Sequence, residues 1–246
     1  MKHKWFVIFI YVMGAVLLQA QEAMVTDRPD FTESGQLVPS RYLQIEQGTF
    51  YANEDGESKW GVGQWLWRYG VSDDFEVRFL PPTFLENAKG KAFLETSIGF
   101  KVPVVKQSQH PWVPVSCVVV EKLLLPAPLD FREVEDRYLA KLCMDWDILP
   151  TLSLGSNVNY VTTRIADAWE SEVQWSLVTG LDLAQDWSVL LEEYTIFEPL
   201  EAKTRFKTAL IYNVNADLQL DIQYDVSAKN FGDYLIEFGT SMRVLL

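Results

Sequence analysis

The sequence predicts an all-β protein: a closed, antiparallel, up-and-down transmembrane β-barrel of about 12 strands, preceded by a short N-terminal periplasmic arm. Three observations lead to this prediction. Long segments of alternating apolar and polar residues fill the chain from residue 41 onward. Short polar turns of one kind recur between these segments, and an apolar leader at the N-terminus indicates export.

Residues 1–20 have the pattern of a secretory signal peptide. Lys2 and Lys4 form a basic start, an apolar run covers 5–18, and the small residue Ala20 follows. We therefore expect cleavage near Ala20. No cysteine lies there to carry a lipid anchor. No later apolar run reaches the length of a transmembrane helix, so a membrane span would have to be a barrel.

The mature chain divides into an arm and a strand-rich region. Residues 21–40 are polar, contain two prolines and show no sustained alternation. In residues 41–246, apolar and polar residues alternate in segments. Most segments are long enough to cross a bilayer as tilted strands, which takes about 9–11 residues. The predicted strands are 41–53, 60–71, 75–82, 91–105, 112–125, 138–149, 151–163, 169–183, 186–198, 203–214, 217–227 and 233–246.

The connections between predicted strands fall into two alternating classes. The segments 71–77, 183–189 and 214–220 share a short polar turn, and 148–154 has a proline there instead. These are tight hairpins after strands two, six, eight and ten. Short turns at one end and longer loops at the other are typical of outer-membrane barrels, with the short turns periplasmic. The predicted longer connections are 53–59, 81–90, 126–137, 164–168, 198–202 and 228–233.

Most strands have one apolar and one polar face. In the last strand, for example, Ile236 and Phe238 alternate with Glu237. In a membrane barrel the apolar face meets lipid and the polar face lines the lumen. By this alternation the predicted lumen-lining residues are Glu46, Arg68, Glu76, Arg78, Glu95, Lys101, Arg205 and Arg243.

Four motifs resemble those of a known family. They are TDRPDFTES at 26–34, LQIEQG at 43–48, LWRYGVSDDFEVR at 66–78 and LIYNVNADLQLD at 210–221. On these motifs the chain resembles outer-membrane transporters labelled for the meta-pathway of phenol degradation. The resemblance implies outer-membrane lipid, a small-molecule solute and the barrel-assembly machinery as partners. A preference for hydrophobic or aromatic solutes is implied by the resemblance alone. The last residue is Leu246, where such barrels commonly end in an aromatic residue.

Composition argues against several other functions. The formal net charge is −13, and cleavage removes two lysines and no acidic residue, which disfavours nucleic acid as a partner. His110 is the one histidine after the leader, and the sequence has neither zinc-ligand spacing nor a phosphate-binding glycine loop. We therefore expect no enzyme, no catalytic residue, no metal and no cofactor. Cys117 and Cys143 could form a disulfide only if neighbouring strands place both on one face.

The arm has a cluster of charges that allows two interpretations. Asp27, Arg28, Asp30 and Glu33 lie close together around Pro29. They could dock against lumen charges and act as a plug or latch. Alternatively, the arm could be a periplasmic leader that caps the open end of the barrel.

The predicted function is passage of small solutes through the outer membrane of a Gram-negative bacterium. Two alternatives stay open. A barrel of the same kind could be a structural or surface-interaction protein that transports nothing. The same alternation would also suit a soluble, secreted binding barrel with its apolar face inside.

Overall fold

The computed structural model describes residues 24–28, 31–106, 112–131, 134–198 and 201–246. The predicted signal peptide, Asp30 and His110 lie outside these ranges. Within them, no helix is long and apolar enough to cross a membrane. The described strands are β1 (Tyr42–Glu54), β2 (Glu57–Val62), β3 (Leu66–Ser72), β4 (Phe75–Leu80), β5 (Phe84–Asn87), β6 (Gly90–Phe93), β7 (Thr96–Val105), β8 (Val115–Leu125), β9 (Asp136–Leu149), β10 (Leu152–Ile165), β11 (Ala168–Ala184), β12 (Trp187–Phe197), β13 (Ala202–Asn215), β14 (Leu218–Ser227) and β15 (Tyr234–Leu245).

These strands form one closed antiparallel barrel. The first and last strands pair along their length, from Tyr42 opposite Leu245 to Asn53 opposite Tyr234. Strands β2 and β3 both pair with β1, so they are two halves of one barrel strand. Likewise β4 continues into β5, and β6 into β7. The result is a twelve-stranded barrel, which confirms the predicted fold class and strand number.

Three barrel strands are interrupted, and two of the breaks have a local cause in the backbone. Gly63 has φ of +79° between β2 and β3. Pro81 and Pro82 separate β4 from β5, and proline has no N–H to donate to a neighbouring strand. The predicted connection at 81–90 was therefore wrong, because the strand resumes at Phe84 after the prolines.

Tight turns occur at both ends of the barrel, which differs from the prediction. The turns at 73–74, 150–151, 185–186 and 216–217 are short, as expected. At the opposite end, however, the connections at 55–56, 88–89 and 166–167 also have two residues. Asp55, Gly56, Ala166 and Asp167 have positive φ, as the favoured two-residue hairpin turns require. The predicted longer connections at 53–59 and 164–168 were wrong, since the strands extend further than the alternation indicated.

The two faces of the wall differ as predicted. Large apolar side chains such as Trp67, Leu191 and Phe238 point outward and are exposed. Rings contact one another near both ends of this outer surface. The pair Trp187–Tyr212 lies towards the end with the turn at 216–217, and Tyr234 contacts Tyr51 at the other. An apolar band between aromatic residues is the exterior of an outer-membrane barrel.

Among the described residues the inner face is mostly polar, but it carries two apolar clusters, one of which packs Cys117, Val119 and Cys143 against Leu37. Phe50, Ala52 and Leu85 are buried together near the end opposite the turn at 216–217, packed against Leu94, Phe131 and Leu235. Elsewhere the completely or almost completely buried side chains are mostly charged or polar. Charged groups of this kind are costly to bury unless they are paired, so their partners define the interior.

Candidate functional site

The arm, meaning the described residues 24–28 and 31–40, lies inside the barrel. The Met24 N–H donates to Ala216 O at 2.9 Å, and the N–H of the next residue after the arm, Arg41, donates to Gly70 O at 2.7 Å. Both contacts lie towards the end where β1 begins. Between them Asp27 and Thr32 are buried. The arm therefore enters the lumen from one end and returns to it.

One side of the lumen presents a cationic cluster, defined as Arg68 on β3, Arg78 on β4, Lys101 on β7 and Lys141 on β9. Three of these cations surround one arm carboxylate. Asp27 Oδ2 lies 2.6 Å from Arg78 Nη1 and 3.3 Å from Arg68 Nε, and Asp27 Oδ1 lies 3.1 Å from Lys101 Nζ. The side chains of Asp27, Arg68, Arg78 and Lys101 are all at most 1% exposed.

Asp27 is held in its charged form. Burial alone would raise the pKa of its carboxyl, but Arg68, Lys101 and Arg78 together hold that pKa well below the usual range. The Ser34 N–H also donates to Asp27 Oδ1 at 3.0 Å, which links the two described parts of the arm. A buried carboxylate with several charge-assisted partners is strongly fixed in position.

The rest of the arm continues along the same side. Glu33 forms ion pairs with Arg78 Nη2 at 3.0 Å and with Lys141. The Val38 N–H donates to Glu76 Oε2 at 2.7 Å. Glu76 in turn accepts from Arg68 Nε at 2.9 Å. Arm and wall thus share one network of charge-assisted hydrogen bonds.

The other side of the lumen presents a carboxylate wall, defined as Glu192 on β12, Asp221 on β14 and Glu237 on β15. Arg28 Nη2 lies 2.5 Å from Glu237 Oε1 and 3.6 Å from Asp221 Oδ1. Glu192 accepts from the Thr32 N–H at 2.6 Å and from the Phe31 N–H at 2.8 Å. Each of these charged arm residues therefore faces wall residues of the opposite charge.

Phe31 makes the one described ring contact between arm and wall. Its ring stacks on Tyr194 with centroids 4.5 Å apart and an interplanar angle of 9°. The Tyr194 hydroxyl donates to Asp225 Oδ2 at 2.8 Å, and Arg205 Nε donates to Asp225 Oδ1 at 2.6 Å. The tyrosine ring is thereby fixed as a flat apolar surface in a mostly polar interior.

Two glycines allow the arm and its partners to approach the wall. A Cβ on Gly70 would lie 2.1 Å from Pro39 O, and one on Gly48 would lie 1.9 Å from Glu237 Oε1. The Gly48 position would also be 2.7 Å from the Arg28 guanidinium. Only glycine leaves this space, so both positions are part of the docking surface.

The lumen-lining residues predicted from alternation do not all meet the arm. Glu46, Arg68, Glu76, Arg78 and Lys101 are buried and contact it. The described ion-pair partners of the other three, Glu95, Arg205 and Arg243, belong to the barrel.

Arg205 pairs with Asp225 towards the opposite end, and Arg243 Nε lies 2.8 Å from Asp217 at a tight turn. Glu95 lies in the break between β6 and β7, where the alternation is interrupted, and pairs with Arg137 at 2.5 Å. Its side chain stays 30% exposed, and the structure does not bring it to the arm.

Sequence reasoning missed several residues that contact the arm, among them Glu192 and Tyr194. Glu192 and Tyr194 face inward, but Glu193 between them faces outward, in register with Leu177 and Phe206. Because Glu192 and Glu193 lie on opposite faces of β12, this strand does not show a clear alternation of apolar and polar residues in the sequence. A count of inward positions from the turn at 185–186 was the signal that could have found them.

Empty space remains on both sides of the arm. A cavity of about 710 Å³ reaches Tyr194 and Arg205 from the end that holds the connection at 228–233. A second, of about 280 Å³, borders Arg28 and Thr32 on the other side. The arm and the Phe31–Tyr194 contact lie between these two cavities.

The two cysteines face each other across neighbouring strands. Cys117 on β8 is in register with Cys143 on β9, and both are buried, inward-facing and reduced. The Cys117 thiol donates to Ser34 O in the arm at 3.6 Å. The condition for a disulfide, that both side chains share a face, is met. No group of three or more His, Cys, Asp or Glu side chains in the described ranges could hold a metal ion.

Comparison with known proteins identifies the fold. No family model matches the chain, and no curated protein is similar to it in sequence. Among solved structures, the COG4313 outer membrane channel from Pseudomonas putida F1 is similar with a TM-score of 0.62 and 9% identity, over 85% of this chain and 97% of that one.

Two porins are similar as well. The NanC porin has a TM-score of 0.59 and 10% identity, over 80% of this chain and 98% of its own. The KdgM porin in complex with disordered oligogalacturonate has a TM-score of 0.58 and 9% identity, over 81% of this chain and 98% of its own. At these identities the likeness establishes the fold, which is that of outer-membrane β-barrels.

Proposed function

We propose that this protein is an outer-membrane channel for small solutes, exported by its signal peptide, and that the arm is a plug that holds it closed. The observation that carries the proposal is the path of the arm through the lumen, with contacts to both walls and a cavity on either side. A segment that occupies a polar lumen in this way blocks it, and its departure would join the two cavities. The channel neighbours agree with this function.

The solute class proposed is hydrophobic or aromatic. Support comes from the Phe31–Tyr194 stack, where an arm ring already occupies an aromatic surface in the lumen. The apolar cluster around Phe50 and Leu85 adds an apolar surface near one mouth. We further propose that Arg205 and Arg243 line the path beyond the arm at its two ends.

The direct test is deletion of residues 22–34 followed by conductance measurements in planar bilayers. The expected result is low conductance for the full chain and a large increase for the deletion variant. Uptake of a small aromatic solute into liposomes that contain each protein should rise in parallel. Equal conductance for the two proteins would overturn the plug, provided that both show the gel shift on heating that marks a folded barrel.

A barrel that transports nothing is the second candidate function. It is favoured by the dense ion pairing of the lumen, because a fully paired network stabilises a closed interior. Absence of both conductance and solute flux after arm deletion would support this candidate. Cell fractionation separates both membrane functions from a soluble binding barrel, which would be found in the periplasm or medium.

A further inference from the structure

We propose that the cationic cluster is a binding site for the carboxylate group of a solute, and that Asp27 and Glu33 of the arm occupy it in the closed protein. This proposal rests on the proposed function, because a solute reaches the cluster only when the arm leaves. It adds a charged group to the solute class, and it gives the solute a means to compete with the plug.

Two lysines of the cluster depend on the arm for their charge partners. Among the described residues, Lys101 forms ion pairs only with Asp27, and Lys141 only with Glu33. When the arm leaves, both ammonium groups lose these partners while they remain on the inward face of the wall. An entering carboxylate can then form the charge-assisted hydrogen bonds that the arm carboxylates formed in the closed protein.

The geometry around Asp27 is that of a carboxylate receptor. Its two oxygens take bonds from Arg78 Nη1 at 2.6 Å and Lys101 Nζ at 3.1 Å, as the two oxygens of a free carboxylate could. Arg78 also holds Glu33 through Nη2, so its guanidinium serves two carboxylates at once. Planar donors of this kind suit carboxylates well.

The surrounding acids limit which anion fits. Arg68 and Arg78 already pair with Glu46, Glu76 and Glu121 on the wall. With the arm undocked, the four cations of the cluster exceed these three wall carboxylates by one charge, which a single solute carboxylate balances. A carboxylate carries one charge and replaces an arm residue of the same chemistry. The cluster therefore selects a monovalent carboxylate on the solute.

The test uses the full chain with Asp27→Asn and Glu33→Gln, which keep the shape of the arm but remove both resident charges. Binding of 4-fluorobenzoate is measured by 19F NMR in detergent micelles, with 4-fluorobenzamide as the uncharged analogue. We expect the double variant to bind 4-fluorobenzoate at least about tenfold more tightly than the unaltered chain, since one charge-assisted hydrogen bond contributes about that factor. Affinity for the amide should not change.

Lys101 supplies the matched controls. Added to the double variant, Lys101→Met should remove the gain, and Lys101→Arg should keep most of it. An equal gain for the amide, or a gain that survives Lys101→Met, would overturn the carboxylate site. If the double variant does not fold, as judged by heat modifiability, Asp27→Asn alone carries the same comparison.

Conductance of the same proteins reports separately on the proposed function. Selective binding without conductance would keep the anion site and overturn the channel. Conductance without selective binding would support the channel and overturn the anion site.

Discussion

The two walls that hold the arm differ in charge and in how completely their groups are paired. On the cationic cluster, Asp27 bonds to three buried cations and to a backbone N–H. On the carboxylate wall, Arg28 lies 2.5 Å from Glu237, but both carboxylate oxygens of Asp221 are buried without a hydrogen bond among the described residues. The arm therefore forms more ion pairs at the cationic cluster than at the carboxylate wall.

This difference has an energetic consequence. A buried arginine that loses its partner remains charged, because it cannot lose its proton. A buried carboxylate that loses its partner can take up a proton and become neutral. Loss of an arm contact should accordingly cost most at the cationic cluster. Substitutions at the two walls provide a direct way to test this ranking.

The largest effect is expected from Asp27→Arg, which places a fourth cation among Arg68, Arg78 and Lys101. Breaking a buried ion pair costs about 3–5 kcal/mol, enough to shift arm docking by on the order of 10²–10⁴-fold. The variant should conduct like the arm deletion and expose the arm to protease. Asp73→Arg, at an exposed turn, makes the same charge change outside the lumen and should stay closed. A closed Asp27→Arg channel would contradict the role given to the cationic cluster.

A smaller effect is expected from Arg28→Met at the carboxylate wall. It removes one charge-assisted contact to Glu237, worth about 2–3 kcal/mol. Open probability should rise less than for Asp27→Arg in the same bilayer assay. If Arg28→Met opens the channel more, then the ranking of the two walls is reversed.

Gly48→Ala disturbs the same wall without removing a charge. The new methyl group would lie 1.9 Å from Glu237 Oε1, so Glu237 and Arg28 must shift. The predicted result is an arm that is partly released, with a thermal midpoint of barrel unfolding close to that of the unaltered chain. Gly56→Ala is a useful comparison, because no atom lies within 4 Å of its added Cβ although its φ is positive. A conductance change for Gly56→Ala as large as for Gly48→Ala would argue against a local effect on the arm.

The barrel could be predicted from sequence because alternation is a local pattern. Strands such as β14 alternate strictly, with Gln219, Asp221 and Gln223 on one face, and these residues point inward as expected. The interruptions could not be predicted in the same way. The prolines at 81–82 look like a loop, and only pairing of β5 with β2 shows that the strand continues.

The site was harder to predict than the wall, for a physical reason. Alternation assigns Arg68 and Arg78 to the lumen, but the partner of each is set by a segment distant in sequence. Asp27 precedes Lys101 by 74 residues, and Glu33 precedes Lys141 by 108. The arm has no periodicity that would indicate its path. Its charge cluster suggested docking against the lumen. The opposite charges of the two walls explain why its acidic residues contact the cationic cluster and Arg28 contacts the carboxylate wall.

The next smaller effect is expected from Phe31→Ala, which removes the ring stacked on Tyr194. The stack contributes about 0.5–1.5 kcal/mol beyond the area that it buries. The arm should stay docked most of the time through its ion pairs, with a modest rise in open probability. Phe231→Ala, at an exposed ring in the connection before β15, serves as the control. A fully open Phe31→Ala channel would mean that the ring, and not the charges, holds the plug.

The smallest effect is expected from Thr32→Val, a substitution that keeps the shape of the side chain. It removes the hydroxyl that bonds to Glu192 Oε1 at 2.6 Å and to Ser176 Oγ at 2.7 Å, while the Thr32 N–H bond to Glu192 remains. Because Glu192 keeps two backbone donors, the loss should be about 1 kcal/mol, or roughly a fivefold change in open probability. Thr208→Val, on the outward face of β13, makes the same chemical change and should leave conductance unaltered. If Thr32→Val instead matched Asp27→Arg, the carboxylate wall would bind the arm as firmly as the cationic cluster, and the asymmetry between the walls would not hold.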